Sequence, residues 1–144
     1  MDFEIPPGSV QHLHPEGLHR NPVYTDVITA TGNVKTVYIG AQGAFDSEGH
    51  LVGEGDLEAQ TLQALHRIDL ALAAAGAARE HLVKVNVYIV QGQSVQKAFA
   101  AFQRAWGILP NPPTNTVMMV PALVPEAFLV AIDALAVVPL QGEH

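Results

Sequence analysis

The chain has 144 residues, and 14 Asp and Glu outweigh 7 Lys and Arg for a formal net charge of −7. That length fits a single domain, and the absence of cysteine excludes disulfide scaffolds, thiolate zinc sites and cysteine nucleophiles. Charged residues reach only 15% against 49% apolar ones, a shortfall expected when part of the surface is covered by further copies of the chain.

In chain order, residues 1–20 hold Pro6, Pro7, Gly8, Pro15 and Gly17 without an apolar period, and read as an irregular arm before one domain spanning 21–144. Two β-branched runs follow, residues 24–31 (YTDVITAT) and 34–39 (VKTVYI), and Gly32-Asn33 between them fits a two-residue hairpin turn. Residues 40–55 hold five glycines and read as loop. Asp56 then caps a helix to about Ala75, closed by Gly76, in which Leu62, Leu65, Ile68 and Leu72 form one apolar face. Residues 82–90 alternate, with Val83, Val85, Val87 and Ile89 on one side and Lys84, Asn86 and Tyr88 on the other. Ser94 caps a second helix whose Val95, Phe99, Phe102 and Trp106 share a face, and Asn111-Pro112-Pro113 stops it. Strands over about 115–120 and 128–138 complete the chain. The order β-β-α-β-α-β-β describes an α+β domain with two helices on one face of a single sheet. The last strand is apolar on both sides except for Asp133, so its second face is expected against another subunit.

The scattered basic residues form no stripe, so no nucleic-acid partner is expected. No apolar run reaches the ~18 residues of a membrane span. The opening MDFEIPPGS lacks a basic region followed by an apolar one, so a cytoplasmic protein is expected.

Asp133 is the sharpest chemical signal, because an isolated buried carboxylate must be hydrogen-bonded, paired or shifted in pKa. It reads either as a general acid/base or water-orienting group, or as a satisfied structural acid. Gly40-Ala41-Gln42-Gly43 exposes backbone amides after a strand, but matches no phosphate-loop motif and also reads as a plain turn. His12, His14 and His19 read as solvated loop residues in preference to metal ligands, His66 reads as a surface residue, and no Ser/His/Asp order or GxSxG is present.

Over most of residues 21–138 the sequence resembles the RidA family, also called YjgF or L-PSP. The resemblance rests on Asn21-Pro22-Val23-Tyr24-Thr25, Val37-Tyr38-Ile39-Gly40-Ala41-Gln42, Ala59-Gln60, Ala73-Ala74-Ala75-Gly76, Leu82-Val83-Lys84-Val85-Asn86-Val87-Tyr88 and the ending LVAIDALA, in order and at matching spacing. It implies a chorismate-mutase-like fold assembled as a homotrimeric barrel, with ligand clefts between subunits. It also implies hydrolysis of reactive enamines and imines without metal or cofactor. By the same resemblance Tyr24 is a pocket tyrosine, Gly40 and Ala41 contact a substrate carboxylate through their backbone, and Thr116 stands at a pocket Cys or Thr position. Asp133 matches the acid that positions water.

Three positions depart from that pattern. Thr114, followed by Asn115, occupies the place of an arginine that forks onto the substrate carboxylate, a bidentate contact neither residue reproduces. Hydrogen bonds to charged groups contribute about 1.5–3 kcal/mol each, so the loss implies a hundredfold or greater weakening for such a substrate. Phe99 stands where an Asn is common on the second helix, and Arg67 where the first helix carries Asn. The expectation is an Arg-less branch of the family, binding a small metabolite with Tyr24, Gly40, Ala41, Gln42, Phe99, Thr114, Asn115 and Thr116 around Asp133. The alternative is an imine deaminase.

Overall fold

The computed structural model describes residues 4–142. Its elements are β1 (Ser9–Leu13), β2 (Val27–Thr31), β3 (Val34–Gln42), α1 (Leu57–Ala74), a 3-10 turn at Arg79–His81, β4 (Leu82–Val90), α2 (Val95–Trp106), β5 (Thr114–Val120) and β6 (Val130–Pro139). Helix α1 begins where Asp56, still in extended backbone, accepts a hydrogen bond from the Ala59 amide at 3.1 Å. Ser94 serves α2 in the same way, accepting from the Lys97 amide at 3.4 Å. Gly76 and Gly107, at φ 69° and 66°, turn the chain out of the two helices through the left-handed region that other residues resist.

Four strands form one sheet in the order β3-β6-β4-β5, and β1-β2 form a separate ribbon. The final strand therefore sits in the middle, antiparallel to both β3 and β4. β4 and β5 run parallel because α2 carries the chain back between them. Both helices pack on one face, where Leu65, Ile68, Leu72 and Ala98 meet Val85, Val87, Ile89, Val130, Ile132, Ala134 and Ala136. Arg79 forks onto Asp69 at 2.9 and 2.8 Å, Trp106 donates its indole N–H to the same carboxylate at 3.3 Å, and the guanidinium lies 5.4 Å from the Trp106 ring centre. This cluster joins α1, the 3-10 turn and α2.

Among the described residues no helix covers the opposite face. Alternation along the strands turns Tyr38, Lys84, Asn86, Tyr88, Thr114, Thr116, Met118 and Asp133 towards it. Tyr38 is 80% exposed there and Met118 44%.

The α+β arrangement with two helices on one sheet face agrees with the sequence reading, and β4 has the expected limits. Two local readings differ. Gly32-Asn33 does not close a hairpin: β2 pairs with β1, Ser9 opposite Thr31, while β3 pairs with β6. Gly32 is needed for a close crossing, since a Cβ there would stand 2.2 Å from the Pro7 carbonyl oxygen, and its φ is 78°. The Asn33 amide donates to the Pro6 carbonyl at 2.9 Å, so the N-terminal segment lies across this turn. The stretch read as an irregular arm accordingly contains a strand, β1, whose pairing partner lies far enough along the chain to leave no local period. His12 lies on that strand and is half-buried, not a freely solvated loop residue.

Candidate functional site

Register places the polar residues of the uncovered face in rows. Asn86 on β4 is opposite Asp133 on β6 and Thr116 on β5, and β3 breaks its register against β6 between Ile39 and Gln42. That break is a bulge holding Gly40 and Ala41, both exposed, beside Asp133. One row thus runs from the Gly40-Ala41 bulge through Asp133 and Asn86 to Thr116. The neighbouring row carries Leu135, Lys84 and Thr114.

Asp133 is half-buried and accepts one hydrogen bond on each oxygen. Asn86 donates its Nδ2 to Oδ1 at 2.8 Å, and the Tyr88 hydroxyl donates to Oδ2 at 2.8 Å. Of the three ways to keep a carboxylate in an apolar strand, the chain uses hydrogen bonding, from two residues of the adjacent strand. The same bond holds the Tyr88 phenol above its ordinary pKa, helped by burial and by the negative charge. A carboxylate has about four acceptor positions, so two remain for a water or a ligand N–H.

The bulge is held from the helix side. Arg67 on α1 donates Nε to Gln42 Oε1 at 2.9 Å, and its Nη1 reaches the carbonyls of Phe45 and Asp46 at 3.2 and 3.4 Å. Gln42 Nε2 returns to the Gly40 carbonyl at 3.1 Å. Gln63 donates to the Phe45 carbonyl at 2.7 Å. Gln60 is fully buried and ties the Gly53 and Ala127 carbonyls and the Leu129 amide to α1. A Cβ on Gly43 would stand 2.1 Å from the Phe128 ring, so only glycine lets that ring seat beside Phe45. A Cβ on Gly40, by contrast, would meet nothing within 4 Å.

The other expected binding residues lie elsewhere. Asn115 and Phe99 face the helix side, where they line a mostly apolar pocket of about 230 Å³ with Val85, Val87, Phe102 and Trp106. Tyr24 lines a separate groove with His14, Arg20 and Pro112. Its neighbour Thr25 is pinned to the loop before β5, through its hydroxyl to the Pro112 carbonyl at 2.6 Å and its amide to Pro113 at 3.1 Å. The Thr114 hydroxyl donates to the Val83 carbonyl at 2.9 Å. The structure thus brings Gly40, Ala41, Asp133, Thr116 and Thr114 onto one face, with Gln42 bracing the bulge from behind. It sets Tyr24, Phe99 and Asn115 apart from them. Asn86 and Tyr88, which hold Asp133, and Lys84 on the same face were not singled out by sequence reasoning, although the alternation of β4 had already assigned all three to one side.

A family model described as Endoribonuclease L-PSP matches residues 20–138. No curated protein matches the chain. Among solved structures, a Rid-family protein of unknown function from Yersinia pestis is 26% identical, with a TM-score of 0.79 over 90% of this chain and 98% of that one. A YjgF-family member from Mycobacterium tuberculosis is 27% identical, with a TM-score of 0.59 over 72% of this chain and 79% of the other. A serine-bound Escherichia coli protein, TdcF, is 20% identical with a TM-score of 0.64 over 72% and 80%, a likeness of fold. Among the described residues no helix is long and apolar enough to cross a membrane. The match over most of the length, on this sheet with its two helices, means that the chain belongs to the endoribonuclease L-PSP family, also called Rid or YjgF.

Proposed function

We propose that the protein binds a small metabolite in a cleft built by two protomers, with the row from Gly40 to Thr116 contributing to its walls. The supporting observation is a separation. The bulge lies on β3 and Thr116 on β5, the two outer strands of the sheet, which stand three strand spacings or about 14 Å apart. A ligand of a few heavy atoms does not span that distance, so residues of both kinds meet one ligand only if the β3 edge of one copy approaches the β5 edge of the next. The homotrimer implied by the family resemblance provides such a contact, because a head-to-tail interface repeated about a three-fold axis closes on itself. Tyr24, Phe99 and Asn115, set apart within one protomer, border the β5 edge and would enter the cleft from that side.

The ligand differs from an amino-acid-derived imine held by a guanidinium, since position 114 is a threonine whose hydroxyl is committed to the Val83 carbonyl. A second reading, hydrolysis of imines, is favoured by Asp133. Its carboxylate is held from two sides with acceptor positions to spare, and so could orient a water that adds to the C=N carbon while ammonia leaves.

One assay separates the two readings: generate 2-aminoacrylate and larger imines in situ and compare wild type, Asp133→Ala and Thr114→Arg. Wild-type turnover that disappears in Asp133→Ala supports the deaminase. Silence in the wild type with activity gained by Thr114→Arg supports the binding reading. Light scattering tests the shared cleft, which a 15.3 kDa monomer at micromolar concentration would remove.

A further inference from the structure

The apolar pocket on the helix side lies between α2, the loop that follows it and the β4–β5 edge. Val85 and Val87, both buried on β4, form its floor. Phe99, Phe102 and Trp106 recur along α2 at steps of three and four residues and line one wall. Phe102 and Trp106 meet edge to face, with ring centres 5.9 Å apart at an angle of 87°. Asp69 takes the only N–H of the Trp106 side chain, and the Arg79 guanidinium stands 5.4 Å from its ring centre. The indole is thus held from α1 and the 3-10 turn, and this wall needs little ordering when a ligand arrives.

None of the described residues lining the pocket carries formal charge, so an ion entering it would shed water without meeting a counter-charge. Its polar side chains are Gln103 and Asn115, two amides that make no side-chain hydrogen bond with any described residue. Each offers both a donor and an acceptor. A cavity of roughly 150 Å³ accepts benzene, so by proportion the 230 Å³ here suits about nine heavy atoms, the size of two fused rings. We propose that this pocket binds a neutral fused-ring aromatic molecule carrying one hydrogen-bonding atom, the class to which indole belongs. The aromatic wall supplies contact area, and the amide of Gln103 or Asn115 meets the polar atom. The pocket is complete within one protomer, so the inference goes beyond the proposed cleft between protomers and does not depend on it.

The test titrates the isotope-labelled full chain with indole and, separately, with indole-3-carboxylate. It follows the amide resonances and the side-chain N–H of Trp106, the one tryptophan of the chain. Indole should shift that N–H together with the amides of Phe99, Gln103 and Asn115, and indole-3-carboxylate should bind about tenfold more weakly or not at all. Phe99→Asn, which sets an amide in the aromatic wall, should weaken indole about tenfold, whereas Phe99→Leu should stay within about threefold of wild type. Val23→Phe, at an exposed lining position, blocks the pocket without altering α2 and should weaken indole by a similar factor. Circular dichroism verifies the fold of each variant. Equal binding by wild type, Phe99→Asn and Val23→Phe overturns the pocket assignment, and indole-3-carboxylate binding as tightly as indole overturns the neutral class. Absence of shifts up to millimolar indole, or shifts confined to the uncovered sheet face, overturns the site. The same shifts produced by raising protein concentration without indole make a second copy the occupant, which also overturns it.

Discussion

Gln60→Leu isolates the means by which α1 holds the loops behind the bulge. The side chain has no solvent exposure, donates Nε2 to the Gly53 and Ala127 carbonyls at 3.1 and 3.0 Å, and accepts from the Leu129 amide at 2.8 Å. Leucine roughly fills the space and leaves two carbonyls and one amide without partners. Each such group costs about 1–3 kcal/mol, so three cost about 3 kcal/mol at the lower end. The extra apolar burial returns about 1 kcal/mol. A net loss of about 2 kcal/mol or more lowers the midpoint by roughly 4–8 °C in a domain of this size. Urea melts at several protein concentrations are the right assay, because self-association would otherwise contribute to the apparent stability. Gln60→Glu refines the result: the acid keeps the Leu129 contact but sets a charge against two carbonyls, so its deficit should shrink as pH falls and the acid protonates. A Gln60→Leu loss below about 0.5 kcal/mol would refute the claim that these three bonds carry the connection.

Two further outcomes follow from contacts around the same face. Gly43→Ala drives a Cβ to 2.1 Å from Phe128, so it should cost about 1–3 kcal/mol in the same urea melts; adding Phe128→Leu should recover part of that, and full tolerance of alanine would contradict the packing. Tyr88 has a folded-state pKa raised above 10, first by its hydrogen bond to Asp133, so its contribution is present below pH 10 and is lost as pH rises through the folded value. Tyr88→Phe should remove from the tyrosinate absorbance titration a phenol that ionises above its ordinary pKa and flatten the alkaline loss of stability, and parallel stability curves for the two proteins would contradict the bond.

Short-range signals were legible in the sequence. Asp56 and Ser94 announced both helices, and the alternation of residues 82–90 gave β4 with its polar side, because caps and strand periods are set by residues close in the chain. The partners of Asp133 were not legible, although Asn86 and Tyr88 had been placed on one side of β4. Their meeting depends on pairing residues 47 and 45 positions apart, a register that no local pattern encodes. Arg67 failed for the same reason, since its contact with Gln42 joins α1 to the end of β3. The Gly32-Asn33 turn misled because a glycine that permits close passage of another segment reads the same as one that closes a hairpin.

The central place of β6 sets a timetable for the growing polypeptide. Neither β3 nor β4 has its middle neighbour until Val130–Pro139 emerges from the ribosome, so for most of synthesis both helices have only part of a floor to settle on. The β3–β6 ladder joins residues about a hundred positions apart, and Asp133, Asn86 and Tyr88 come together only at that final insertion. Nascent chains stalled before Val130 should be readily digested by protease, and supplying the last strand as a separate peptide should be the step that restores resistance.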